Sequence, residues 1–167
     1  MKGKPIYFYV LLTLSTIGAL LSAKSVFLDP IPEEIVRIGD ASVDSAAQAL
    51  LPLTQKEFEF LHSLPYRLLC LIVLALLVVT WYLLVRKNIV RASLSYLSCL
   101  TLNLIGGILS FISVSPVVGT LVENVRSHAS SSLKLSLGVT VVGFLIFSGI
   151  ILVNYFKYKK HNLKIED

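Results

Sequence analysis

The stretch Leu68–Val85, LLCLIVLALLVVTWYLLV, decides the fold: thirteen of its eighteen residues are leucine, isoleucine or valine, and none is charged. At roughly −0.3 to −0.6 kcal/mol for each such residue, they contribute on the order of −4 to −8 kcal/mol to insertion into a bilayer. One central arginine would oppose this by only about 3 kcal/mol. The segment therefore predicts a membrane-spanning helix, and three further apolar stretches flank it. Ile6–Ala23 precedes it, while Ala92–Ser115 and Leu135–Phe156 follow. The third stretch is apolar as far as Thr120, and Pro116 is expected to end or kink it, because proline lacks the amide donor that continues a helix.

The composition agrees. Of 167 residues, 55% are hydrophobic and 15% charged, whereas a soluble domain carries about 25% charged residues. A soluble enzyme, a free nucleic-acid-binding domain and a disordered tail are excluded on that ground. The length suits four spans of about 20 residues each. Cys70 and Cys99 both lie in apolar runs with no CxxC pair, so two free, buried thiols are expected rather than a disulfide framework or a zinc site.

Lys2 and Lys4 before the first apolar stretch also fit a signal peptide. Cleavage after Ala23 would place Leu21 at the position that calls for a small residue, and the apolar run is long for a signal core, so an uncleaved span is the expectation. With the amino terminus inside, nine of the 15 Lys and Arg residues fall on the cytoplasmic side, among them Lys2, Lys4, Arg86, Lys87 and Arg91. The outer segments hold the other six and eight of the ten carboxylates. The positive-inside rule then places both termini in the cytoplasm. Tyr7, Tyr9, Trp81, Tyr82, Tyr96, Tyr155 and Tyr158 all fall at the inner ends of these spans, where amphipathic rings favour the headgroup zone. The short chain, without sorting signals or any N-x-S/T acceptor, points to a bacterial cytoplasmic membrane.

The inner turn, residues 86–91, is short enough to make spans two and three an antiparallel hairpin. The outer turn, residues 120–134, reads as a polar, Ser-rich, mobile loop. The first outer loop, residues 24–66, reads as a helical cap. Pro32 suits the first position of a short helix running to Ile38, and Asp40–Leu51 reads as a second, with Val43, Ala46, Ala47, Leu50 and Leu51 on a weak apolar stripe. Thr54 and Glu57 match a capping box, which would start a third helix carrying Phe58, Phe60 and Leu61 and ending or bending at Pro65. The expected class is thus an all-α integral membrane protein: one four-helix transmembrane bundle with a short helical extracytoplasmic cap between helices 1 and 2, and a basic cytoplasmic tail, residues 157–167. The cap rests on the bundle or, through Phe58, Phe60 and Leu61, offers a docking surface. Its acidic balance argues against nucleic acid as a partner.

No charged residue or histidine lies inside a span core, although proton-coupled carriers and pumps place ionisable groups at mid-depth. The sequence has no catalytic or phosphate-binding motif, and His62, His128 and His161 sit on separate segments. No enzyme activity, metal or cofactor is expected. The informative pattern is span three, where Ser95, Cys99, Asn103, Gly106, Ser110 and Ser113 recur at three- and four-residue spacing. Gly106 and Ser110 permit close helix approach, and Asn103 can hydrogen-bond across an interface. Shorter stripes run through Ser15, Gly18 and Ser22, and through Ser136, Thr140 and Gly143. Ser95, Asn103, Gly106 and Ser110 are the expected helix-packing or partner interface. The leucine- and valine-rich span two is expected to face lipid or a greasy neighbour.

The functional expectation is a non-catalytic accessory, assembly or regulatory subunit whose partners are membrane lipid and another integral membrane protein or a second copy of itself. Alternatives are an oligomeric transport component lined by span three, or a membrane immunity protein.

Overall fold

A computed structural model describes residues 6–33 and 41–163. Among them the chain forms five helices: α1 (Ile6–Phe27), α2 (Ala41–His62), α3 (Leu64–Val85), α4 (Ile89–Val118) and α5 (Glu123–Leu163). Helices α1, α3, α4 and the Glu123–Phe156 part of α5 are long and apolar enough to cross a membrane. The all-helical class and the four apolar helices agree with the sequence reading, and each helix extends beyond the span expected for it.

Packing follows chain order, α1 on α3, α3 on α4 and α4 on α5. Phe8 and Leu12 from α1, Leu84 from the end of α3, Ala92 and Tyr96 from the start of α4 and Ile151 of α5 meet in one core. Successive apolar helices therefore alternate in direction, and the α3–α4 turn lies at the same end of the bundle as the start of α1. On α3 the buried residues are Cys70, Val73, Leu77, Thr80 and Leu84. Their alternating three- and four-residue spacing is the 3.5-residue repeat of helices that cross at a shallow angle. Span two packs one stripe against α1 and α4, while Leu71, Ile72, Val78 and Val85 on its other side are at least half exposed. Its uniform apolarity hid the buried stripe. Cys70 and Cys99 are free and buried, as expected.

The hairpin is tighter than residues 86–91. Lys87 adopts φ 59°, and its amide reaches the Leu84 carbonyl at 3.0 Å while the Asn88 amide reaches Leu83 at 2.9 Å. This pair of bonds around a left-handed residue is the Schellman stop. Asn88 then caps α4, its side chain accepting from the Arg91 amide at 3.3 Å.

Three expectations about the other end are corrected. Residues 120–134 are not a mobile loop: α5 begins at Glu123, because Leu121, Val125, Ala129 and Leu133, spaced by four, pack with Val118 against Ala49, Leu50 and Leu53 of α2. At about 1.5 Å per residue, the 41 residues of α5 extend about 60 Å, twice the roughly 30 Å hydrocarbon thickness. The second and third short cap helices are one helix, α2, which runs through Pro52. Ala49 and Leu50 before the proline and Leu53 after it sit in the same core, while Pro52 and Gln48, whose carbonyl loses its donor, are exposed. Packing on one face and an open opposite face let the helix tolerate the missing bond. The Thr54–Glu57 capping box consequently does not form, and Thr54 Oγ1 instead donates to the Leu50 carbonyl at 3.3 Å. The proposed helix after Pro32 falls largely on residues outside those described.

The two prolines near the apolar helices stand beside the helix ends expected of them. Pro116 lies inside the last turn of α4, which ends two residues later at Val118. Pro65 sits in the first turn of α3 after the cap residue Ser63, where a missing amide donor is harmless. Phe60 and Tyr66 meet across this α2–α3 turn with ring centres 5.0 Å apart and planes tilted by 58°, and Gln55 Nε2 donates to the Pro32 carbonyl at 3.1 Å. The second half of the cap-like helix is therefore tied both to the segment before it and to α3.

Candidate functional site

Helix α4 carries the residues singled out from sequence, and the structure divides them between faces. Ser95, Cys99 and Gly106, together with Ala92 and Leu102, repeat at the spacing of one helix face. Ser95 Oγ lies 2.9 Å from Thr80 Oγ1 of α3, and both hydroxyls reach the Leu76 carbonyl, at 3.3 and 2.7 Å. Gly106 is buried; a β-carbon there would stand 3.4 Å from Leu69 Cδ2 and 3.5 Å from Tyr66 Cε2. Both residues thus serve α3–α4 packing.

A second set of bonds joins α1 to this pair. Ser15 Oγ and Tyr96 Oη are 2.6 Å apart, and Trp81 Nε1 donates to Thr16 Oγ1 at 3.0 Å. Phe8 meets the Tyr96 ring edge-on at 5.6 Å. Tyr96 is fully buried, so it belongs to the bundle interior and not to an aromatic belt. Tyr82, by contrast, is exposed, with Arg86 over its ring at 5.2 Å. In a low-dielectric interior each interhelical hydrogen bond contributes about 0.6 to 2 kcal/mol. These neutral contacts fix helix register.

Sequence reasoning missed Thr80, Trp81 and Thr16 as parts of this seam. Thr80 is the single serine or threonine in the Leu68–Val85 stretch, which was the available signal. It also missed Gly107. A β-carbon at Gly107 would meet Thr140 Cγ2 at 3.1 Å, so the adjacent glycines serve two helices, Gly106 facing α3 and Gly107 facing α5. The other stripes divide in the same way: Ser15 and Thr140 are used, whereas Gly18 and Gly143 have nothing within 4 Å of a β-carbon position and Ser22 and Ser136 are exposed.

Asn103 points elsewhere. It is exposed midway along α4, and its Nδ2 donates within its own helix, to the Cys99 carbonyl at 3.0 Å with Cys99 Sγ at 3.7 Å. Among the described residues its Oδ1 has no partner. Ser110, two turns on, is half-buried. Among the cap residues, Phe58, Phe60 and Leu61 are all half-buried: Phe60 packs on Tyr66, and Phe58 stacks with His62 at 6.1 Å. Among the described residues there is no cluster of three or more His, Cys, Asp or Glu able to hold a metal ion.

The chain belongs to the family described as Domain of unknown function (DUF8777), which it matches over residues 1–164. No curated protein and no solved structure matches it.

Proposed function

We propose that the four apolar helices cross a bacterial cytoplasmic membrane with both termini inside and α2 outside, and that the protein is a non-catalytic accessory, assembly or regulatory subunit of a larger membrane protein. The outward Asn103 carries this reading. A side-chain amide with an unmatched carbonyl is costly in hydrocarbon, and a neighbouring transmembrane helix that donates to it removes that penalty. The long apolar faces beside it support membrane placement: Leu14, Leu21, Leu135, Val142 and Leu145 are all at least half exposed, more contiguous apolar surface than a water-soluble monomer keeps. The basic hairpin Arg86, Lys87 and Arg91 supports the inside orientation.

A self-assembled pore lined by α4 is less well supported, because Ser95 and Gly106 are engaged with α3 and leave Asn103 without a continuous polar stripe. The test is affinity purification of the tagged chain from its native membrane in mild detergent, with mass spectrometry of co-eluting proteins. A larger membrane protein is expected at a fixed ratio. Asn103→Leu should lower its recovery about fivefold to thirtyfold, the equivalent of 1–2 kcal/mol, without changing the thermal stability of the chain itself. Ser95→Ala should do the reverse. Recovery of the chain alone, with no partner crosslinked in cells, contradicts the proposal.

A further inference from the structure

The first three turns of α5 and the last two of α4 enclose a cleft of about 470 Å³. Its floor is apolar, formed by Phe111, Val118 and Leu133, and its walls carry Arg126, Lys134, Ser127, Ser130 and Glu123. The α5 residues recur at three- and four-residue intervals, so they share one helix face. Arg126 is held in place: Nε and Nη2 donate to the Leu121 carbonyl at 3.2 and 2.9 Å, leaving its other guanidinium hydrogens available. Among the described residues Ser127, Ser130, Lys134 and Glu123 make no side-chain hydrogen bond or ion pair. With Ser115 of α4, the cleft thus combines two cations, three hydroxyls and one carboxylate over an apolar floor, and among the described residues none of the three charges is paired with another side chain.

We propose that this cleft binds one aminophospholipid, with its phosphodiester at Arg126, Ser127, Ser130 and Lys134 and its ammonium at Glu123. Guanidinium and hydroxyl donors suit phosphate oxygens, and the carboxylate excludes a headgroup with no compensating positive charge. Ile112 and Leu135, which follow the cleft residues Phe111 and Lys134 in the chain, are exposed and offer apolar surface to the acyl chains. The end of α4 is where a headgroup sits if the apolar helices cross a bilayer, and the proposal rests on that reading. Loss of the chain from the membrane fraction would overturn the bilayer reading; the lipid measurement is made on chain recovered from membranes.

The experiment is native mass spectrometry of the purified full chain, with phosphatidylethanolamine, phosphatidylglycerol or inorganic phosphate added. One phosphatidylethanolamine should be retained, about tenfold more strongly than phosphatidylglycerol, and inorganic phosphate should not displace it. Lys134→Gln, which removes no intramolecular contact, should lower retention about tenfold, as should Arg126→Gln. Glu123→Gln should abolish the preference over phosphatidylglycerol. Equal retention of the two lipids by the parent, unchanged retention in Lys134→Gln, or displacement by inorganic phosphate would overturn the proposal.

Discussion

Replacing Gly107 with leucine is expected to push α5 away from α4 and lower the stability of the bundle. The first added atom would already stand 3.1 Å from Thr140 Cγ2, so Thr140 must give way before any side chain fits there. Overpacking of this kind costs about 1–3 kcal/mol in a core that can shift. In a bilayer the separated helices also gain nothing from the added hydrophobic surface, since lipid is as apolar as leucine. Thermal unfolding of the purified chain in detergent should show a clearly lowered Tm for Gly107→Leu and partial recovery when Thr140→Ala is added. Gly18→Leu should leave the Tm unchanged, because nothing lies within 4 Å of that position. A Gly107→Leu protein as stable as its parent would contradict the α4–α5 packing described above.

Leu121→Ala is expected to release α2 while leaving the rest of the bundle intact. Leu121 is almost fully buried in the small cluster that Val118, Val125 and Ala129 form with Ala49, Leu50 and Leu53. Truncating a buried leucine costs about 2–5 kcal/mol, and few apolar contacts remain there to compensate. Trypsin cleavage after Lys56, in the middle of α2, should accelerate strongly, while the core joining Phe8, Leu84, Tyr96 and Ile151 keeps its stability. Unchanged cleavage at Lys56 would show that α2 is held by other contacts.

How much of this was legible in sequence depended on contrast between neighbouring residues. Leu68–Val85 announces a helix because every position is apolar, and for the same reason it conceals which residues are buried. Only the coordinates single out Cys70, Val73, Leu77, Thr80 and Leu84. On α4, by contrast, small and polar residues stand out, so Ser95, Asn103 and Gly106 were found. Their division between an inward and an outward face depends on where α3 and α5 lie, and sequence spacing does not supply that. Gly106 and Gly107 are adjacent, and nothing local shows that one meets α3 and the other α5.

Helix α2 and the start of α5 were misread for a shared physical reason. Pro52 argued for a break, and Ser127, Ser130, Ser131 and Ser132 argued for a loop; both are correct as local propensities. Each segment nevertheless carries a sparse apolar stripe, and the two stripes meet with Val118 of α4 in one small cluster. Mutual packing overrides two weak local preferences, as helix stability in proteins generally comes from tertiary contact. The Leu121, Val125, Ala129 and Leu133 spacing was present in the sequence, but its partner on α2 was not evident.

The arrangement in the membrane is tested most directly by paired cysteine labelling in intact cells. In a background with Cys70→Ala and Cys99→Ala, a single cysteine is placed on exposed α2 by Gln48→Cys or in the α3–α4 turn by Arg86→Cys, and a membrane-impermeant maleimide is added outside. Position 48 should label in intact cells, and position 86 only after the membrane is opened. Labelling of both positions from the same side would contradict a bundle that crosses the bilayer with α2 at one end and the hairpin at the other.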